Sequence, residues 1–340
     1  MSRTFVRQPR VLELCAGGGG QALGLEAAGF ETAAVVENDS HACATLRLNR
    51  PNWTVIQEDI RTFDASPYHG VDLVAAGVPC PPFSMAGKQL GSEDERDLFP
   101  AALRIVEAVR PRAVMLENVR GLASERFASY RASLKESLRA LGYESEGRLL
   151  NASGFGVPQL RPRYVIVGLQ KADFLRFAWP AESSVEVSVG EAIGDLMGAC
   201  GWPGTAAWVE RANRVAPTLV GGSRKHGGPD LGPTRARKQW AELGVDGIGV
   251  AAAAPGSEDS EDATPRLTVR MAARLQGFPD SWQFAGGKTA AYRQVGNAFP
   301  PPVAQAVANA IRAAAEGHVP IELPRRQLQL LEPVAAFGAG

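Results

Sequence analysis

The chain has 340 residues, 45% of them hydrophobic and 21% charged, enough for one large domain, a smaller companion and a sizeable buried core. Lysine plus arginine equals aspartate plus glutamate at 36 each, so no global basic field marks a nucleic-acid binder and any basic surface has to be local. Four cysteines, none in CxxC spacing, and four histidines argue against a metal site or a disulfide framework and for reduced thiols in a cytoplasm. The apolar runs are too short and too interrupted to span a membrane, and MSRTFVRQPR lacks the apolar core of a secretory leader.

The first half alternates apolar runs with helical patterns. Residues 11–15 predict a strand, followed by a glycine loop and a helix near 21–28. A second run, 32–36, ends at Glu37; the third and fourth are 53–60 and 71–77. Leu98, Ala102, Ile105, Val106 and Val109 share one face, predicting a helix over 98–109. A strand at 113–116, a helix near 127–141 and a β run at 163–169 follow. This alternation predicts an α/β fold: a parallel sheet with helices on both faces and ligands at the carboxyl ends of its strands.

Beyond residue 175 the pattern changes. Residues 176–265 are rich in Gly, Pro, Ala and Ser and show little periodicity. Arg211, Arg214, Arg224, Lys225, Arg235, Arg237 and Lys238 are opposed by Asp230 alone; Glu242, Asp246, Glu258, Asp259, Glu261 and Asp262 then follow with no base among them. We read 176–284 as a separate, mostly irregular or β domain with a partly basic working surface, and 251–262 as a solvated loop. Residues 1–175 and 285–330 would form the main domain, with helical pattern over 268–275 and 302–311 and a loose tail at 331–340.

Four clusters carry chemistry. ELCAGGGG (13–20) joins a strand to a helix, where glycines allow close backbone approach and the helix start favours negative charge. Glu37, about 20 residues on, stands where a carboxylate grips ribose hydroxyls. Alone, these features support a nicotinamide cofactor and S-adenosylmethionine equally. In GVPCPPFSMAGKQLG (77–91), prolines stiffen the backbone around Cys80 at the ligand edge of the sheet, and the run that follows could close as a lid. MLENVRGL (115–122) places Glu117 and Asn118 after the fifth strand, a carboxyl group suited to general acid work. PQLRPRYVIVG (158–168) alternates Arg161 and Arg163 into a strand, facing one side.

These blocks, in this order, resemble the DNA cytosine-5 methyltransferases, of the bacterial or phage type. ELCAGGGG resembles the glycine loop, VEND (36–39) the ribose block, EDI (58–60) the adenine block, PCPPFS (79–84) the nucleophile block, ENV (117–119) the acid block and QLRPR (159–163) the arginine block. RLTVRMAARLQGFPDSW (266–282) resembles the block that braces the recognition domain, and YRQVGNAFPPPVA (292–304) the block that returns to the cofactor. Two positions depart. Glu13 and Cys15 stand where Asp and an aromatic are usual, and Ala298 stands where many members have Ser.

The resemblance implies a Rossmann-like S-adenosylmethionine-dependent methyltransferase sheet with a smaller target-recognition domain. It implies Cys80 as the nucleophile at C6 of a flipped cytosine, Glu117 at ring N3, and Arg161 and Arg163 orienting the base. Cofactor contacts carry over to Cys15, Gly17, Gly20, Glu37, Asp59, Ile60, Leu98 and Asn297. DNA contacts are expected at Ser84, Lys88 and Gln89 and at Arg224, Lys225, His226, Arg235, Arg237 and Lys238. Double-stranded DNA is the expected partner, read by a monomer at the nucleoid, with a cognate restriction endonuclease acting on the same sequence. A tRNA cytosine substrate is opposed by the roughly 95 residues between Gly168 and Thr264. A catalytically silent DNA-binding regulator is opposed by intact Cys80, Glu117 and Arg163.

Overall fold

The structure is a computed structural model that describes residues 7–78, 97–222 and 230–318. In chain order its first elements are β1 (Arg10–Leu14), α1 (Gly20–Ala27), β2 (Glu31–Glu37), α2 (Ser40–Asn49), β3 (Val55–Gln57), β4 (Leu73–Gly77), α3 (Phe99–Val109), β5 (Ala113–Val119), α4 (Ala128–Ala140), β6 (Tyr143–Asn151), β7 (Gln159–Leu160) and β8 (Pro162–Gln170). Seven strands form one sheet in the order β3-β2-β1-β4-β5-β8-β6. From β3 to β5 neighbouring strands are parallel. Of these, β1, β4 and β5 are short runs rich in Val, Leu, Ala and Met that bury both faces, the composition of a sheet covered by helices on each side. Leu12, Val74, Val114 and Leu116 face α3, whose Phe99, Ala102, Ile105 and Val106 are buried against them.

The sheet is not parallel throughout, as the sequence pattern predicted. β8 runs antiparallel to both β5 and β6. The reason is connection length: α4 carries the chain from β5 over to β6, but the short link from β6 to β8 holds only one 3-10 turn, Ala152–Phe155, and no α-helix for a parallel return. β8 is therefore inserted between β5 and β6. β6 itself, YESEGRLLN, alternates burial along an edge and carries too many charges to read as a strand from sequence.

The second half contains α5 (Lys171–Phe174), α6 (Val189–Met197), α7 (Thr205–Arg211), β9 (Ala216–Pro217), α8 (Thr234–Glu242), α9 (Val269–Leu275), α10 (Lys288–Asn297) and α11 (Pro301–Glu316). Much of 176–284 is irregular, as expected, but its regular pieces are helices. Its described β structure is limited to β9, paired with β7 over two residues, and isolated bridges. α6 starts with a capping box: the Ser188 hydroxyl accepts from the Glu191 N–H, and the Glu191 carboxylate accepts from the Ser188 N–H. Trp202, Trp208 and Trp240 are buried in a cluster that continues without interruption to Ala16, Leu23, Val35 and Leu46 beside the main sheet. α11 then packs on α1. A side chain at Gly24 would meet the Ala304 methyl at 2.5 Å, so glycine is what allows the two helices this approach.

Candidate active site

The strand order reverses beside β1, with β2 on one side and β4 on the other, and it is here that the carboxyl ends of an open α/β sheet make a crevice. The glycine loop leaves β1 through Cys15 (φ 55°), Gly17 (φ 54°) and Gly19 (φ 88°), all left-handed. Cys15 has a side chain in that region, a strained choice that the surrounding packing holds in place. Glu37 fixes the turn. One of its oxygens accepts the Gly17 N–H at 2.7 Å and the other accepts the Asp39 N–H at 2.7 Å. Asp39 in turn caps α2 by accepting from the His41 and Ala42 N–H groups.

Gly17 and Gly20 differ in what they face. A side chain at Gly17 would meet none of the described residues within 4 Å, so among them the turn is open. One at Gly20 would lie 2.3 Å from the Phe299 carbonyl oxygen, so Gly20 is set by the chain after α10 pressing on the loop. Three carboxylates crowd this corner. Burial raises Glu13 well above the ordinary carboxylate value and Glu37 adds to it, against the Ala22 N–H that favours its charge. Burial also raises Glu37, against the N–H groups that favour its charge. The Cys15 thiol is pushed up by burial and then by Glu37, Asp59 and Glu13, which keeps it neutral and unreactive.

On the other side of β1, β4 ends at Gly77, opposite Glu117 in the register of β5. A side chain at Gly77 would stand 3.4 Å from the Cys15 carbonyl oxygen and 3.8 Å from a Glu117 oxygen, so this one residue joins the glycine loop to the acid. Glu117 and Asn118 lie within β5, not after it. Arg163 pairs across from Val119, which places its side chain diagonally beside Glu117, and its Nε donates to Glu117 Oε1 at 2.9 Å. Burial raises Glu117, while Arg163 and Arg161 pull it down; the net direction is up. Asn118 is buried and its amide donates to the Val78 carbonyl at 3.2 Å, holding the backbone two residues before Cys80.

Arg161 departs from its expected place beside the base. Its guanidinium is fully buried, and both Nη groups are taken by main-chain carbonyls: Leu219 at 2.6 Å, Gly296 at 2.7 Å and Ala298 at 2.9 Å. Arg161 lies between β7 and β8 rather than within a strand, so strand alternation does not govern where its side chain points. Arg161 and Arg163 therefore serve different partners. Gln159 and Gln276, which sequence reasoning did not single out, are buried around Arg161 and bonded to each other at 2.7 Å. Two glutamines near apolar runs gave no signal beyond the QLRPR string itself.

The remaining expected residues are spread along the crevice and the small domain. Asp59 is engaged by Arg61 in an ion pair of 2.6 Å, Ile60 is buried, and Leu98 caps α3. Asn297 donates its amide to the Gly222 carbonyl at 3.1 Å. On α8, Arg235 and Lys238 are exposed one turn apart, whereas Arg237 leans to Asp230 at 3.6 Å. Cys80, Ser84, Lys88, Gln89, Arg224, Lys225 and His226 lie outside the described residues. Among the described residues no group of three His, Cys, Asp or Glu side chains could hold a metal, and no helix is long and apolar enough to cross a membrane.

Comparison with known proteins agrees with this geometry. Residues 9–313 match the family model for C-5 cytosine-specific DNA methylases. The chain is 54% identical over 308 residues to the type II methyltransferase M.NaeI of Lentzea aerocolonigenes, covering 89% of this chain and 75% of that one. It is 49% identical over 304 residues to the type II methyltransferase M.NgoMIV of Neisseria gonorrhoeae, covering 88% and 96%. In fold it is similar to a prophage-encoded DNA modification methyltransferase of E. coli (TM-score 0.62, 22% identity, 89% and 98% covered). A methyltransferase of Entamoeba histolytica, EhMeth, is similar to the same degree (TM-score 0.63, 12% identity, 90% and 98% covered). With the glycine loop, Gly77 and the Glu117–Arg163 pair at one switch point, the chain belongs to the C-5 cytosine-specific DNA methylase family, and its activity is methyl transfer to carbon 5 of cytosine in DNA.

Proposed function

We propose that this methyltransferase acts on a cytosine flipped out of a short specific sequence in double-stranded DNA, with S-adenosylmethionine as methyl donor. The observation that carries the reading is the Glu117–Arg163 pair, buried beside Gly77 at the exit to Cys80. The cofactor reading rests on the corner at β1. The Gly17 turn meets none of the described residues, and Glu37 stands beside it to accept ribose hydroxyls. Cys15, Gly17, Glu37, Asp59, Ile60, Leu98 and Asn297 are the residues we assign to hold it, with Gly20 shaping the loop. When bound, the cofactor supplies an electrophilic methyl group.

The residues of the chain do the rest. Carbon 5 of cytosine is a weak nucleophile until the ring loses its aromaticity. The Cys80 thiolate adds to C6, forming a C–S bond and moving an electron pair toward N3. Glu117, held high by burial, donates its proton to N3 or shares it there, so that charge does not build on the ring. Arg163, bonded to Glu117, faces the base's carbonyl oxygen and holds its plane. Carbon 5 takes the methyl group and then gives up its proton to water. The electron pair left behind expels the thiolate by breaking the C–S bond, N3 returns its proton to Glu117 and the aromatic ring is restored. Base flipping costs a few kcal/mol, supplied by contacts to the rest of the duplex.

We assign DNA reading to 176–284, through Arg235 and Lys238 on α8 and through Arg224 and Lys225, with main-domain contacts from Ser84, Lys88 and Gln89. The relatives' type II names favour a partner restriction endonuclease for the same sequence. The test is expression in cells that lack cytosine methylation, followed by genome-wide mapping of 5-methylcytosine. One short motif methylated throughout, and absent with Cys80→Ser, is the expected result. An unmethylated genome from a folded protein, with methylated cytosine found in tRNA instead, would overturn the DNA reading.

A further inference from the structure

We propose that Arg161 is a positioning residue that couples the cofactor end of the molecule to its DNA-reading segment, by holding the Leu219 carbonyl and the Gly296 and Ala298 carbonyls on one guanidinium. The inference rests on the cofactor reading above and goes beyond it. Burying a guanidinium completely without a carboxylate bonded to it is costly, and three carbonyls offset that cost only if all three stay in place. A neutral side chain would fill the volume without this demand, so the charge serves geometry.

The bonds form a closed circuit. Arg161 reaches Leu219; the Leu219 N–H donates to Gln159 Oε1 at 2.7 Å; Gln159 Nε2 donates to Gln276 Oε1 at 2.7 Å; Gln276 Nε2 donates to the Ala298 carbonyl at 2.5 Å; and Ala298 returns to Arg161. Four separate chain segments meet in this circuit. Next to it the backbones touch directly. A side chain at Gly296 would lie 2.5 Å from Gly221 Cα, and one at Gly221 would lie 2.6 Å from Asn297 Oδ1. Asn297 also donates to Gly222. With no slack between 219–222 and 296–298, ordering of one orders the other, which is the physical content of coupling between two sites.

Hydrogen–deuterium exchange on the full chain tests this with S-adenosylhomocysteine as probe. In the wild type the probe should slow exchange at 17–20 and, remotely, at 216–222 by at least about fivefold. In Arg161→Lys, which keeps the charge but reaches fewer carbonyls, protection at 17–20 should persist while that at 216–222 is lost. Gln276→Leu, which opens the circuit on its far side, should act in the same direction. Protection at 17–20 with none at 216–222 in the wild type would overturn the proposal without any variant. So would unchanged remote protection in a folded Arg161→Lys protein. No protection anywhere would instead sink the cofactor reading, and the proposal with it.

Discussion

The two walls of the crevice are held by different forces. The wall at β1, β2, β4 and β5 hangs on strands whose residues toward the crevice are almost all buried, so backbone register places Glu37, Gly77 and Glu117. The wall formed by 189–222 and 230–250 rests on helices of nine, seven and nine residues, too short to persist in isolation. Its tryptophans share a core with Ala16 and Leu46 beside the main sheet. One wall is defined by its own hydrogen-bond ladder and the other by what it leans on. Chemistry that needs fixed distances sits on the first, and reading of variable sequence is assigned to the second.

Mutations can separate the two. The largest effect should come from Cys80→Ala: methylation should fall about 10⁵-fold or more with thermal stability unchanged, read by radiolabelled methyl transfer and calorimetry. Measurable turnover in that variant would remove Cys80 from the mechanism. Trp240→Ala, in the centre of the second wall, should cost about 3–5 kcal/mol and expose 189–250 to protease before the sheet is cut. A variant that is cut everywhere at once would show that the walls unfold as one and undo the comparison.

Glu117→Gln should lower kcat about a hundredfold. The wild-type carboxyl, raised above its ordinary value of 4.5, is a donor only while protonated, so kcat/KM should fall as pH rises through its raised value. Glutamine does not titrate, and the alkaline limb should flatten; a limb of unchanged shape would assign it to another group. Glu37 acts with the opposite requirement, because it accepts ribose hydroxyls through both oxygens only when ionised. Binding of S-adenosylhomocysteine should weaken about tenfold per pH unit as pH falls below the raised Glu37 value, measured by calorimetry. The ligand-free fold shows the reverse sign: the favourable neutral form of Glu37 is fully present below 4.5 and is lost as pH rises through the raised value. The smallest effect is expected at the start of α6, where Ser188→Ala removes the capping box for about 1 kcal/mol.

How far the sequence could be read tracks the same division. β1, α1, β2, β4, α3, α4 and α9 are found within a few residues of the predicted runs, since each carries a simple apolar pattern within its own few residues. The third run shrank to 55–57, and α2 and β6 were missed: α2 has weak amphipathicity and starts from the Asp39 cap, and β6 is a charged edge strand. In 176–284 the capping box at Ser188 and Glu191 was a usable signal for α6. α8, whose helix carries three cations and a single buried tryptophan, offered almost no apolar stripe.

The order of blocks along the chain determined the family and the chemistry, because a thiol between prolines, a carboxyl group and an arginine are the groups that cytosine-5 methylation needs. Tertiary structure alone decided that Arg163 reaches Glu117 while Arg161 turns into the interior. Two residues apart in sequence, they differ because one lies in the ladder of β8 and the other at its break, and the carbonyls that claim Arg161 arrive from 58, 135 and 137 residues away. Local pattern records which face a strand buries; it holds no record of partners that only the closed fold brings near.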